Sequence, residues 1–258
     1  MKKSKCGLLK AICACKVLVL ILIFGSLYAQ NLSDKKEGLK IQFVNYVGNE
    51  ILKLDSSIYK NELQQEFVVA KFKYYIGHIR LVKKDGVEYK SDRYYLINEE
   101  KLNSKTILIE NIPNGEYITL HFTVGVDSID NCSGAQSGAL DPMNAMFWTW
   151  NTGYIFMKLE GTAEASTSAN SIFEYHIGGF KNIDNAIRTF ILPFTNSISI
   201  SSNRQESVEI KTDVLEILKT PTTIDFSNLS SVTDARNAST IADNYSDMFS
   251  VLKCGNEK

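Results

Sequence analysis

The sequence predicts an all-β protein, an antiparallel β-sandwich with one long polar loop and a short C-terminal helix. Three observations carry that reading. Apolar residues recur at every second position from Leu39 onward, tight-turn dipeptides separate the runs, and the 258 residues contain only four prolines.

The first element is not part of the fold. Lys2, Lys3, Lys5, Lys10 and Lys16 precede the apolar run "VLVLILIF", and Ala29 ends a small-residue stretch ahead of Gln30. This is the pattern of a secretory signal peptide over 1–29, followed by a short linker over 30–37 and one domain over 38–258. The apolar run is far short of the roughly 20 residues a bilayer span needs, so no transmembrane anchor is expected. Cys6, Cys13 and Cys15 lie before it, not at a lipid-attachment position after it. Cleavage removes five lysines and no acid, which takes the net charge from −1 to −6. A mildly acidic protein does not suit nucleic-acid phosphates or anionic lipid surfaces. The expected location is periplasmic or extracellular.

Leu39, Ile41 and Phe43 alternate with Lys40 and Gln42, and Gly48-Asn49 then turns the chain into a second run. "EFVVAKFKYYIGHIRLVKKDGVEY" reads as two or three strands, with Asp85-Gly86 the hairpin turn between "HIRLVKK" and "VEY". After Pro113-Asn114-Gly115 comes a long strand in which Ile118, Leu120, Phe122 and Val124 share one face and Thr119, His121 and Thr123 the other. Periodicity then vanishes from Asp127 to Pro142, a length at which loops are commonly functional. Alternation resumes at Met146 and runs through Glu160. "SIFEYHIGGF", "AIRTFILPF", "ISISS" and "SVEIKTDVLEIL" follow as strands. Asp234 is placed to cap a helix carrying Ala235, Ile241, Tyr245, Met248 and Phe249.

The chain lacks a Gly-rich phosphate loop, a G-x-S-x-G elbow, H-E-x-x-H and paired C-x-x-C, which argues against the familiar enzyme classes. No catalytic role is expected. Metal chemistry has few donors to draw on: His78, His121 and His176 are the only histidines. His176 precedes Gly178 and Gly179 at a strand end, His78 follows Gly77 at a bulge or kink, and His121 belongs to a polar strand face. Only Cys132 and Cys254 remain after cleavage, in a compartment where thiols oxidise. They form a disulfide, stay as free thiols, or leave Cys132 as a soft ligand for Cu(I). Trp148 and Trp150 are separated by one residue, so in a strand both rings emerge on one face. They are either core or the rim of the polar loop.

The ordered set "TVGVDSIDN", "GALDPMNAMFWTWNTGYIFMKLEG" and "FEYHIGGF" resembles the MbnP-like copper-binding family associated with methanobactin operons, and the likeness covers most of residues 38–255. The resemblance implies a secreted or periplasmic β-sandwich that binds copper. It also implies that a tryptophan, Trp148 or Trp150, is oxidised to kynurenine by a di-haem peroxidase-like partner, giving an amine and a ketone that join histidines around the metal. By position His176 matches the family's H-[LI]-G histidine. Methanotroph members carry a histidine after the loop asparagine, whereas this chain has Cys132 after Asn131. The candidate ligands are therefore His176, Cys132 and His78, with Asp141 or Glu174 as the carboxylate that orients His176. The alternative function is a metal-free cell-envelope binding module on the same scaffold.

Overall fold

The computed structural model describes residues 38–148, 153–202 and 204–255; the expected signal peptide, the expected linker and Trp150 lie outside them. β1 (Gly38–Val47) buries Leu39, Ile41 and Phe43 and turns at Gly48-Asn49 into β2 (Glu50–Ile51). β3 (Tyr59–Lys60) leads to β4 (Glu66–Lys83), one continuous strand of 18 residues. Its pairing slips between Gly77 and Arg80, so the glycine before His78 bulges the strand without ending it. The Asp85-Gly86 turn closes the hairpin to β5 (Glu88–Ser91), and β6 (Tyr95–Asn98) also pairs with β4.

β7 (Thr106–Ile109) and β8 (Gly115–Val124) flank the Pro113 turn but enter different sheets. β9 (Phe147–Trp148) pairs back onto the start of β10 (Gly153–Ala163). β11 (Ile172–Gly178), β12 (Arg188–Ile200), β13 (Gln205–Asp213), β14 (Ser231–Val232) and β15 (Phe249–Cys254) complete the set. Asp234 caps the helix Ala235–Asn244 by accepting from Asn237 N at 3.0 Å. The helix stops before the apolar periodicity does: Tyr245 opens a 3-10 turn and Phe249 begins β15.

Among the described residues the strands form two sheets. The smaller runs β15-β13-β1-β2 with β7 also on β1, and the larger runs β12-β8-β4-β10-β11-β14 with short strands added to β4 and β10. Most pairs are antiparallel, but β1–β13 and β11–β14 are parallel, which makes both sheets mixed. Parallel neighbours need a long crossover, and most of the larger sheet is threaded between β1 and β13.

Between the sheets Phe43, Phe122, Phe190 and Phe249 pack with ring centroids as close as 4.6 Å for Phe190–Phe249. Tyr74 OH, fully buried, donates to Asn45 Oδ1 at 2.9 Å and lies 3.0 Å from Thr212 Oγ1, tying the larger sheet to the smaller. The residues alternating with this core face point outward on β4, β10 and β11, where residues 127–148 cross over them. No helix among the described residues is long and apolar enough to cross a membrane.

Candidate functional site

Strand register builds the outer face as a grid. Lys158 on β10 lies opposite Lys73 on β4 and His176 on β11, and Glu160 lies opposite Lys71 and Glu174. Lys73, Lys158 and His176 thus stand in one row, and Lys71, Glu160 and Glu174 in the next. Glu160 draws partners from both rows. Its Oε2 meets Lys71 Nζ at 2.8 Å and its Oε1 meets His176 Nε2 at 2.9 Å. The His176 hydrogen bond, aided by Lys71 and Lys158 against the cost of burial, pulls the Glu160 carboxyl down to about 2. Because an ionised carboxylate only accepts, His176 Nε2 carries a proton, and in the neutral imidazole the lone pair is then on Nδ1. That Nδ1 is buried and has no hydrogen-bond partner among the described residues.

A histidine held through one nitrogen by a carboxylate with the other nitrogen bare is the usual arrangement of a metal ligand. The partner is Glu160, not Asp141 or Glu174. Asp141 instead caps a 3-10 turn through Met143 N, and Glu174 accepts from Ser231 Oγ. Glu160 was missed because its role depends on the β10–β11 register, which no local pattern encodes.

Trp148 is brought to the same face. A Cβ at Gly178 would come within 2.7 Å of the indole Cζ3 and 2.5 Å of the Tyr154 carbonyl, so the ring rests on a position only glycine can supply. Gly178 and His176 are two residues apart on one strand and share a face. Gly179 follows at φ +120°, where a Cβ would strike the Asp184 carbonyl at 2.4 Å. The twin glycines serve two separate close approaches.

The covering segment starts with the helix Ser128–Cys132, capped by Asp127, and continues through short 3-10 turns. Buried Asn131 fastens it to the sheet: Nδ2 donates to the Val126 and Asp127 carbonyls, and Oδ1 accepts from Tyr154 N at 2.9 Å. Beside it opens a pocket of about 700 Å³ lined by Cys132, Phe147, Trp148, Phe180 and Asp184 among others. Cys132 and Trp148 therefore meet at one hollow. His176 and His78 are not among its lining residues.

Cys132 is an exposed free thiol and Cys254 a half-buried one on the outermost strand of the other sheet, so the expected disulfide is not formed. Burial pushes the Cys254 thiol up. His78 occupies the β4 bulge at φ +48°, with Nε2 3.1 Å from Tyr94 OH and 3.2 Å from Asp127 Oδ2, and Nδ1 3.6 Å from Asp92 Oδ1. His121 Nδ1 faces Arg80 Nη2 at 3.1 Å and must accept, and burial together with that guanidinium lowers its pKa. Among the described residues no group of three or more His, Cys, Asp and Glu side chains is arranged to hold an ion.

The family model for MbnP matches residues 36–237. The chain belongs to the MbnP family. Among solved structures it is similar to MbnP from Methylosinus trichosporium, at 13% identity with a TM-score of 0.53, covering 86% of this chain and 99% of that one. No curated protein matches. At that identity the structural likeness speaks for the shared fold, while family membership rests on the sequence match.

Proposed function

We propose that this MbnP-family protein is exported to the cell envelope and binds copper through His176 Nδ1. The observation that carries the reading is the buried Nδ1, without a hydrogen-bond partner among the described residues, of an imidazole whose other nitrogen is fixed by Glu160. Imidazole suits copper, and a carboxylate behind the ring fixes its orientation and raises its basicity. One histidine does not make a site, so the remaining donors come from elsewhere. Trp148 borders the same face, and oxidation of Trp148 or Trp150 by a di-haem peroxidase-like partner would supply the amine and ketone that the family likeness implies. Cys132 stands where relatives carry a further histidine, and as a free thiol it remains a soft donor. The role is that of a carrier, not a catalyst.

A metal-free binding module is the second reading. It is favoured by the lack of a three-donor cluster among the described residues and by the exposed Ile129, Met143 and Ile183 near the pocket. Protein purified from its native host separates the two. Stoichiometric copper with an oxygen gain on the tryptophan peptide supports the first reading, and unmodified indoles without metal support the second. An N-terminus at Gln30 in the same sample would support export.

A further inference from the structure

We propose that Lys158 is the positioning residue that holds the Trp148-bearing segment on β10 beside His176; this rests on the copper reading for its purpose but not for its geometry. Lys158 is only 8% exposed, an unusual place for an ammonium group. Its charge is not needed to neutralise Glu160, which Lys71 already meets at 2.8 Å while Lys158 stands off at 3.7 Å. The short contact of Lys158 is to a backbone carbonyl: Nζ donates to Ala145 O at 2.7 Å.

Ala145 is an unusual acceptor. It follows the turn Pro142–Asn144 with φ +56° and ψ +38°, a left-handed conformation that a residue with a Cβ seldom holds unless its surroundings impose it. The next carbonyl, Met146 O, accepts from Ile155 N at 2.9 Å. Two consecutive carbonyls are therefore gripped by β10, one by a side chain and one by the backbone, immediately before Phe147 and Trp148. Lys158 is also the direct cross-strand neighbour of His176. The residue that pins the segment thus stands beside the imidazole, and it fixes where the indole meets Gly178.

The test uses the full mature chain: emission and exchange are read in a Trp150→Phe background, so that indole emission reports Trp148, and copper affinity is read in protein that keeps both tryptophans and carries its native modification. Lys158→Met keeps the stem and removes the donor, whereas Lys158→Arg keeps a donor. In Lys158→Met the expected results are red-shifted emission, faster hydrogen exchange at the amides of 145–148, and copper affinity weakened about 10- to 100-fold, as for loss of an outer partner of a ligand. Lys158→Arg should restore all three. Should Lys158→Met fail to fold, Lys158→Gln, too short to reach Ala145 O, replaces it. Wild-type emission and exchange in the folded variant would overturn the positioning role whatever copper does. Raised exchange with copper affinity unchanged in both Lys158→Met and His176→Ala would leave the positioning role standing and remove the copper reading.

Discussion

His78 and His176 both lie on the larger sheet and both face carboxylates, yet they are prepared for different work. The His78 ring has acid on both sides, with Tyr94 and Asp127 at Nε2 and Asp92 3.6 Å from Nδ1, and its side chain is 35% exposed. The His176 side chain is 13% exposed, meets one carboxylate through Nε2 and has no partner at Nδ1 among the described residues. On the copper reading, His78 is a link to Asp127 at the base of the 127–148 segment, and His176 is the ligand.

The largest expected effect follows from the bare nitrogen. His176→Ala should weaken copper binding by more than the ~10–100-fold that loss of an outer partner brings, measured by competition titration of protein carrying its native modification. Unchanged affinity would place the ion elsewhere.

Glu160→Gln sharpens the comparison at the next level, with copper affinity expected to fall by ~10–100-fold because the acceptor behind the imidazole loses the negative charge that fixes the ring and raises its basicity. It also changes acid stability. The Glu160 carboxyl titrates near about 2 in the fold against an ordinary 4.5. Its stabilising contribution is therefore complete above 4.5 and is lost as pH falls through about 2. Thermal melts of the metal-free protein should show Glu160→Gln less stable near neutrality, with a flatter decline between pH 4.5 and 2. An unchanged acid limb would mean that Glu160 is not clamped in solution.

His78→Ala should leave copper affinity alone and cost about 1 kcal/mol of folding stability, the worth of one partly exposed hydrogen-bonded link. Denaturant melts and the same titration check both halves. A copper defect here would collapse the distinction between the two imidazoles.

Much of the fold was legible in local pattern, and the misses have a common cause. The Gly48-Asn49 and Asp85-Gly86 hairpins, the two-sided β8 face and the Asp234 cap are encoded within a few residues of themselves. The parallel β1–β13 pair joins residues 167 positions apart, Gly38 with Gln205 onward, and nothing in either strand announces its partner. Gly77 marked a disturbance but not whether β4 would break or bulge; the flanking pairs with β8 decided for a bulge. At the site, His176, Trp148 and the twin glycines stood out as residue types in an ordered pattern. Glu160 and Lys158 did not, because an acid and a lysine at alternate strand positions look like any solvated face until register brings them to His176 and residues 127–148 bury them.

The most direct measurement is anomalous diffraction at the copper edge from crystals of natively modified protein loaded with one equivalent of copper. The expected result is a single peak within bonding distance of His176 Nδ1, with Nε2 still on Glu160. A peak beside His78 and Asp127, or none at full loading, would contradict it.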